Sequence, residues 1–271
     1  MPDVVVSAAF DDIRSRDVRF LQEAARLGDL TVLLWSDETF RSLEGRLPAF
    51  PQAERLYILE AIRYVKRVVL VDGLHDHDRL PLLDGPLHGL WAVPDAQDTP
   101  ARRRFCASLG IGYRVIPASQ QEGFPPATDG LPPSGRKKVI VTGCYDWLHS
   151  GHVRFFEQVS AYGDLYVSLG NDANIRLLKG DGHPLLSQDE RTYMVGSIRF
   201  VTQAFVAAGF GMLDAAAEIE RLGPDFYIVN EDGDRPEKRL FCSARGLQYV
   251  VLQRLPRQGL PSRQSTHLRG F

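Results

Sequence analysis

The chain repeats itself once, end to end. The run VVVSAAFDDIRSRDVRFLQEAARLGDLTVLLWSD from Val4 lies over VIVTGCYDWLHSGHVRFFEQVSAYGDLYVSLGND from Val139 without a gap. Asp11 falls on Asp146, Val18-Arg19-Phe20 on Val153-Arg154-Phe155, Gly28-Asp29-Leu30 on Gly163-Asp164-Leu165, and Asp37 on Asp172. After a one-residue gap, ERLYILEAIRYV from Glu54 meets ERTYMVGSIRFV from Glu190, and DTPARRRFCASLGIGY from Asp98 meets DRPEKRLFCSARGLQY from Asp234. So long a period means one domain written twice, not a solenoid of short repeats. The join, EGFPPATDGLPPSGRKK, is rich in Pro and Gly and lacks apolar periodicity, which reads as a linker. The expected organisation is a domain over 1–120, a linker over 121–137 and a second domain over 138–271.

In the second copy, KKVIVTGCY is a short β-branched apolar run ending at glycine, a buried strand. SGHVRFFEQVSAYGD follows as a helix, with Val153, Phe156 and Val159 recurring at i+3 and Gly163 as its stop. LYVSLGND is a second strand. SQDERTYMVGSIRFV is a helix that Ser187 and Glu190 open as a capping box. QAFVAAG, DFYIVN and LQYVVLQR are further strands, separated by the helices LDAAAEIERLG and RPEKRLFCSARG. Strands alternating with helices at this spacing predict an α/β fold, a parallel sheet flanked by helices in each copy: two tandem Rossmann-like domains.

Such sheets bind ligands at the carboxyl ends of their strands. Four polar loops converge there: GCYDWLHSGH after the first strand, GNDANIRLLKG after the second, VNEDGD after the fourth and QRLPRQGLPSRQST after the fifth. His149 and His152 sit three residues apart where a helix begins. A helix start carries unpaired amides and partial positive charge, so it favours phosphate. Two imidazoles on that turn can donate to oxygens that gain charge in a transition state. Lys179 and Arg191 add cations, and Arg254 adds a planar fork for phosphate. Cys144 precedes the histidines without an evident base, so no nucleophilic triad is drawn. The residues point to phosphoryl or nucleotidyl transfer by positioning and charge stabilisation, without a covalent intermediate.

Composition excludes other classes. The 271 residues carry a net charge of −2, so no overall field draws nucleic acid. No stretch approaches the roughly 18 apolar residues of a membrane span, and the N-terminus lacks a signal pattern. Three cysteines (Cys106, Cys144, Cys242) make no CxxC pair and suit a reducing cytoplasm, the expected location. LHDHD, from Leu74 to Asp78, with His88 nearby, has no counterpart in the second copy and reads as a solvated loop, so no metal site is expected.

GCYDWLHSGH resembles the first signature, G-x-[FY]-D-x-x-H-x-G-H, of the cytidylyltransferase family of HxGH nucleotidyltransferases. LLKGDGHPLLSQDERTYMVGSIRFV resembles the segment carrying that family's phosphate-binding lysine and its E-R helix. The tandem arrangement is similar to that of the ethanolamine-phosphate cytidylyltransferases. The resemblance implies that His149 and His152 bind the nucleotide phosphates and stabilise the transition state, and that Lys179 holds triphosphate or acceptor phosphate. Gly143, Cys144, Tyr145, Asp146 and Gly151 would belong to the nucleotide site. There Gly143 would permit close approach of the backbone, and Asp146 would orient the histidine loop or help place magnesium. Arg191, Asn230, Asp232 and Arg254 would join them. Ser265 and Thr266 would too, although the family's R-T-x-G-[IV]-S-T-[ST] is stretched here to RLPRQGLPSRQST. Trp147, Asp172 and Lys179 would face the acceptor.

The implied reaction is transfer of CMP from CTP, accompanied by Mg2+, to a small phosphorylated alcohol or sugar, releasing pyrophosphate. LKGDGHP resembles the adenylyltransferase domain that makes ADP-heptose equally well, so ATP and a sugar phosphate are the alternative. A non-catalytic nucleotide-binding regulator is the rival from another class. An aminoacyl-tRNA synthetase is disfavoured: no K-M-S-K-S counterpart and no basic tail is present, and no nucleic-acid partner is expected.

The first copy has lost the chemistry. Arg14 stands for His149, Arg16 for Gly151, Asp17 for His152, Glu44 for Lys179 and Ala118 for Arg254. Acidic groups there repel phosphate, so a folded, non-catalytic pseudo-domain is expected, making the chain an intrachain pseudo-dimer that further homodimerisation would extend. A first copy that binds a regulatory ligand is the alternative.

Overall fold

A computed structural model describes residues 3–81, 89–125, 132–265 and 268. The chain divides into two compact units, 1–123 and 124–271. Part of the expected linker belongs to the second unit. The Ser134 amide and hydroxyl both donate to Asp164 (2.8 and 2.7 Å), and the Phe124 ring lies 5.9 Å from that of Tyr193.

The first unit runs β1 (Asp3–Ala8), α1 (Ser15–Ala25), β2 (Asp29–Trp35), α2 (Asp37–Glu44), α3 (Gln52–Ala61), β3 (Arg67–Val71), β4 (Leu90–Pro94), α4 (Pro100–Leu109) and β5 (Gly112–Ile116). The second runs β6 (Lys138–Gly143), α5 (Ser150–Ser160), β7 (Asp164–Leu169), α6 (Asp172–Lys179), α7 (Gln188–Gly196), β8 (Val201–Val206), α8 (Ala216–Leu222), β9 (Phe226–Asn230), α9 (Pro236–Ser243) and β10 (Gln248–Leu252). Both sheets are parallel and share one order, β3-β2-β1-β4-β5 and β8-β7-β6-β9-β10. The expected α/β class and its two Rossmann-like sheets are therefore present. The copies differ between their third and fourth strands, where α8 has no helical counterpart among the described residues of the first unit.

The sheets open where their order reverses. β6 pairs with β7 over six positions, Lys138 to Gly143, but with β9 only at Val139 and Ile140. β1 likewise pairs with β4 only at Val4 and Val5. Beyond those pairs the carboxyl ends splay, creating the crevice that doubly wound sheets offer to ligands. Around it the core is tight. Val139, Ile140, Val141, Val153, Phe156, Val159 and Leu165 are all fully buried. The stripe expected on α5 is therefore the one that packs. Ser187 accepts from the Glu190 amide at 3.3 Å, the N-cap half of the expected capping box.

Gly163 matters for a different reason than a helix stop. α5 has already ended at Ser160, with Ala161 as its cap. A Cβ on Gly163 would lie 1.9 Å from the Lys137 carbonyl oxygen, which accepts from the Asp164 amide at 2.8 Å to start β7 beside β6. No helix among the described residues is long and apolar enough to cross a membrane. Gly163→Ala is expected to lower stability by about 2–3 kcal/mol in urea unfolding followed by circular dichroism. A loss too small to measure would contradict this account of the strand entry.

Candidate active site

The loop between β6 and α5 leaves the sheet through a strained turn. Tyr145 has a left-handed backbone, φ 51°, as does its counterpart Phe10 at 48°. That conformation costs a non-glycine residue about 1–2 kcal/mol. In return the Tyr145 ring is buried, 5.0 Å from Phe156 and edge-on to His152 at 5.2 Å. Gly143 has to be glycine because a Cβ there would meet the Tyr145 ring at 2.8 Å. Its lack of a side chain thus makes room for an aromatic ring, as well as leaving the crevice wall bare.

Two buried groups fix this loop. Asp146, 4% exposed, accepts from the Leu185 and Leu186 amides at 2.7 and 3.0 Å and faces His183 Nδ1 at 3.3 Å. These bonds tie the loop to the 183–186 segment. Arg191, 0% exposed, donates to the carbonyls of Leu186 (3.1 Å), Cys144 (2.7 Å) and Gly170 (2.9 Å), and to Asp172 Oδ1 (2.7 Å). These bonds correct two sequence expectations. Arg191 does not reach the crevice to bind phosphate, because its fork is spent on the frame. Asp172 is its partner and does not line the cavity that the loops enclose. In the first unit Arg55 makes the same four bonds, to Phe50, Ala9, Trp35 and Asp37.

His149 caps α5 with its side chain. Its Nδ1 accepts from the Gly151 amide at 3.1 Å. An acceptor nitrogen carries no proton, so the neutral ring holds its proton on Nε2. That buried Nε2 has no hydrogen-bond partner, and neither does His152 Nδ1. The two rings stack with centroids 3.9 Å apart and an 18° tilt. Gly151 allows this packing, since a Cβ there would lie 2.9 Å from the His149 ring. Burial, with help from the cations of Arg254 and Arg263, pulls His149 down to about 3. Burial first, then His149, Arg254 and Lys179, holds His152 well below its ordinary value. Both rings are therefore neutral at pH 7, with unsatisfied nitrogens that an incoming oxyanion can use.

The loops enclose a cavity of about 210 Å³. Of the expected site residues, Gly143, Cys144, Tyr145, Asp146, Trp147, Gly151, His152, Lys179, Asn230, Asp232, Arg254 and Ser265 line it. His149 does not; it is 1% exposed and stacked on His152. Arg254 pairs with Asp232 and donates to the Arg263 carbonyl at 2.8 Å. Ser265 Oγ donates to the Trp147 carbonyl at 3.4 Å, which brings the stretched final motif back to the signature loop. Thr266 and His88 lie outside the described residues. The Cys144 thiol is pushed up by burial, so it is protonated and no nucleophile at neutral pH. Among the described residues no three His, Cys, Asp or Glu side chains are grouped to hold a metal ion.

Sequence reasoning missed Lys238, Thr142 and His183, which also line the cavity. Lys238 left a signal. It shares the buried face of α9 with Phe241 and Cys242, where a lysine is out of place.

The histidines also set a pH dependence. Between their low folded values and the ordinary 6.5, the unfolded chain takes up protons that the folded chain refuses. Stability therefore falls as pH falls below about 6.5, by roughly 2 kcal/mol from pH 7 to pH 5 for His149 alone, and His152 acts in the same direction. His149→Asn is expected to remove one such increment from the difference between urea melts at the two pH values. An unchanged difference would contradict the buried neutral ring.

Comparison with known proteins agrees with this geometry. Residues 140–249 match the cytidylyltransferase-like family. The bifunctional protein HldE of Citrifermentans bemidjiense is 34% identical over 99 residues, 36% of this chain and 20% of that protein. The protein of the same name from Campylobacter concisus is 42% identical over 104 residues, 38% of this chain and 21% of its own. The chain thus spans about a fifth of the length of these curated relatives. A crystal structure of the lipopolysaccharide core biosynthesis protein from Thermoplasma volcanium GSS1 covers 45% of this chain and 99% of its own, at 21% identity and a TM-score of 0.39. The stretch from residue 140 to 249, which carries both histidines, is thus similar to the cytidylyltransferase-like family.

Proposed function

We propose that the second unit transfers AMP from ATP to the phosphate of a sugar, with release of pyrophosphate. The observation that carries nucleotidyl transfer is the buried, neutral pair His149 and His152, whose free ring nitrogens sit where α5 begins. One feature favours adenine over cytosine: the bifunctional protein HldE recurs among the curated relatives. The stretch LKGDGHP, Leu178 to Pro184, is similar to the adenylyltransferase domain that makes ADP-heptose and fits either base. Transfer of CMP from CTP is the second reading, favoured by the cytidylyltransferase-like match over 140–249.

In this reading the acceptor's phosphate oxygen attacks the α-phosphorus in line. The bond from that phosphorus to the β-phosphate bridging oxygen breaks, and pyrophosphate leaves with the electron pair. Neutral imidazole N–H groups and Lys179 stabilise the charge that spreads over the phosphoryl oxygens. Arg254, on the cavity wall, adds a further cation. Magnesium arrives with the triphosphate as part of the substrate, held chiefly by phosphate oxygens. The first unit is a pseudo-domain here: Arg14 pairs with Asp12, and the Asp17 carboxylate accepts from the Arg14 amide.

Pyrophosphate release screened over ATP and CTP with a panel of sugar phosphates and phosphorylated alcohols tests this. Turnover is expected with ATP and a sugar phosphate. Turnover with CTP alone would favour the second reading, and nucleotide binding without turnover would leave a regulator. His152→Ala is expected to cut turnover by about 10² or more, whereas Arg14→Ala leaves it unchanged. A comparable loss from Arg14→Ala would overturn the pseudo-domain assignment.

A further inference from the structure

The duplication provides an internal control for every charge in the cleft. Lys238 on α9 occupies the place of Arg102 on α4, and the surroundings match closely. Arg103 pairs with Asp98 and lies over Tyr113, as Arg239 pairs with Asp234 and lies over Tyr249. Arg102 lies over the Trp91 ring at 5.3 Å, and Lys238 over the Tyr227 ring at 5.7 Å. The two differ in what answers the charge.

In the first unit Arg102 Nε donates to Asp78 Oδ1 at 3.2 Å and Nη1 to the Gln97 carbonyl at 2.8 Å. In the second unit the hydrogen bonds of Lys238 among the described residues are two long, neutral ones, to Thr142 Oγ1 and the Gly233 carbonyl, both at 3.5 Å. No carboxylate among the described residues pairs with it. Asp214, which acts on it from farther away, is already bonded to Asn174 Nδ2 at 2.9 Å. Yet Lys238 is only 8% exposed, and it lines the same cavity as His152 and Lys179. Burial pulls its ammonium below the usual lysine value, with Asp214 opposing. A buried ammonium without a strong partner is costly to a folded protein. An arriving anion removes that cost, so the cavity gains affinity from a charge the fold leaves unanswered.

We propose that Lys238 is a substrate-binding residue whose ammonium takes a phosphate oxyanion, in the place where Asp78 answers Arg102 in the first unit. This rests on the nucleotidyl-transfer reading, in which a nucleotide phosphate and the acceptor's phosphate meet in this cavity. Either can supply the oxyanion, and the test separates them.

Calorimetric titration of the full chain with ATP, CTP, pyrophosphate and a sugar phosphate compares wild type, Lys238→Met and Lys238→Arg, alongside thermal melts. Lys238→Met is expected to weaken phosphate binding at least about tenfold while its melting temperature holds or rises, because an unpaired buried charge is gone. Lys238→Arg, which the first unit's architecture accommodates, recovers most of the affinity. A loss confined to nucleotide and pyrophosphate assigns the oxyanion to the donor, and one confined to the sugar phosphate assigns it to the acceptor. Wild-type affinity in Lys238→Met overturns the proposal and leaves nucleotidyl transfer standing. So does a Lys238→Arg variant that keeps wild-type stability but lacks affinity. Absence of binding to any of these ligands in the wild type removes the nucleotidyl-transfer reading, and this proposal with it.

Discussion

The buried guanidinium of Arg191 holds the working edge of the second sheet together. One planar fork ties the carbonyl of the signature loop at Cys144, the turn after β7 at Gly170, the segment before α7 at Leu186 and the first residue of α6 at Asp172. Lysine offers no such fork. Removing the guanidinium would strand buried carbonyls from three separate segments. Asp146 adds a second tie between the same loop and the 183–186 segment. The rest of the site depends on this frame, because the loop it ties delivers His149 and His152 to the start of α5.

The first unit separates frame from chemistry. Arg55 repeats the bonds of Arg191, Asp11 accepts from the Phe50 amide as Asp146 does from Leu186, and Phe10 repeats the strained turn of Tyr145. That unit also keeps a cavity at the matching edge, about 910 Å³ against about 210 Å³. Size therefore does not decide which copy handles phosphate; the wall does. The larger cavity is lined by Asp11, Asp12, Asp17, Glu44, Asp78 and Asp95, and of its arginines Arg16 and Arg102 the latter is answered within the unit by Asp78. The smaller one keeps free imidazole nitrogens and a buried lysine that no carboxylate among the described residues pairs with. The first copy answers Arg102 with a carboxylate, and the second leaves its counterpart Lys238 to a ligand.

Much of this was legible in the sequence. The duplication, the strand and helix order, the stripe of α5 and the convergence of four loops all follow from periodicities that local sequence records. Arg191 was misread because a solvent-facing cation and a buried fork look alike in a string; only the four acceptors it meets tell them apart. Gly163 was read as a helix stop, when its need comes from the Lys137 carbonyl, a contact between segments that no local pattern encodes. His149 was expected beside His152 on the cavity wall, but its role as the α5 cap turns its ring under the neighbouring imidazole. Lys238 was visible in principle, as a lysine on an apolar helix face, and became meaningful only against Arg102.

The central claim is that two neutral, buried imidazoles in the second unit await a phosphate oxyanion. Nitrogen-15 NMR of the histidine rings, followed through pH and then through addition of pyrophosphate, tests it most directly. The account predicts that His149 stays neutral with its proton on Nε2 down to about pH 4. It also predicts that His149 and His152 shift on pyrophosphate binding, while His75 and His77 of the first unit do not. A His149 that titrates near its ordinary value, or rings indifferent to pyrophosphate, would contradict it.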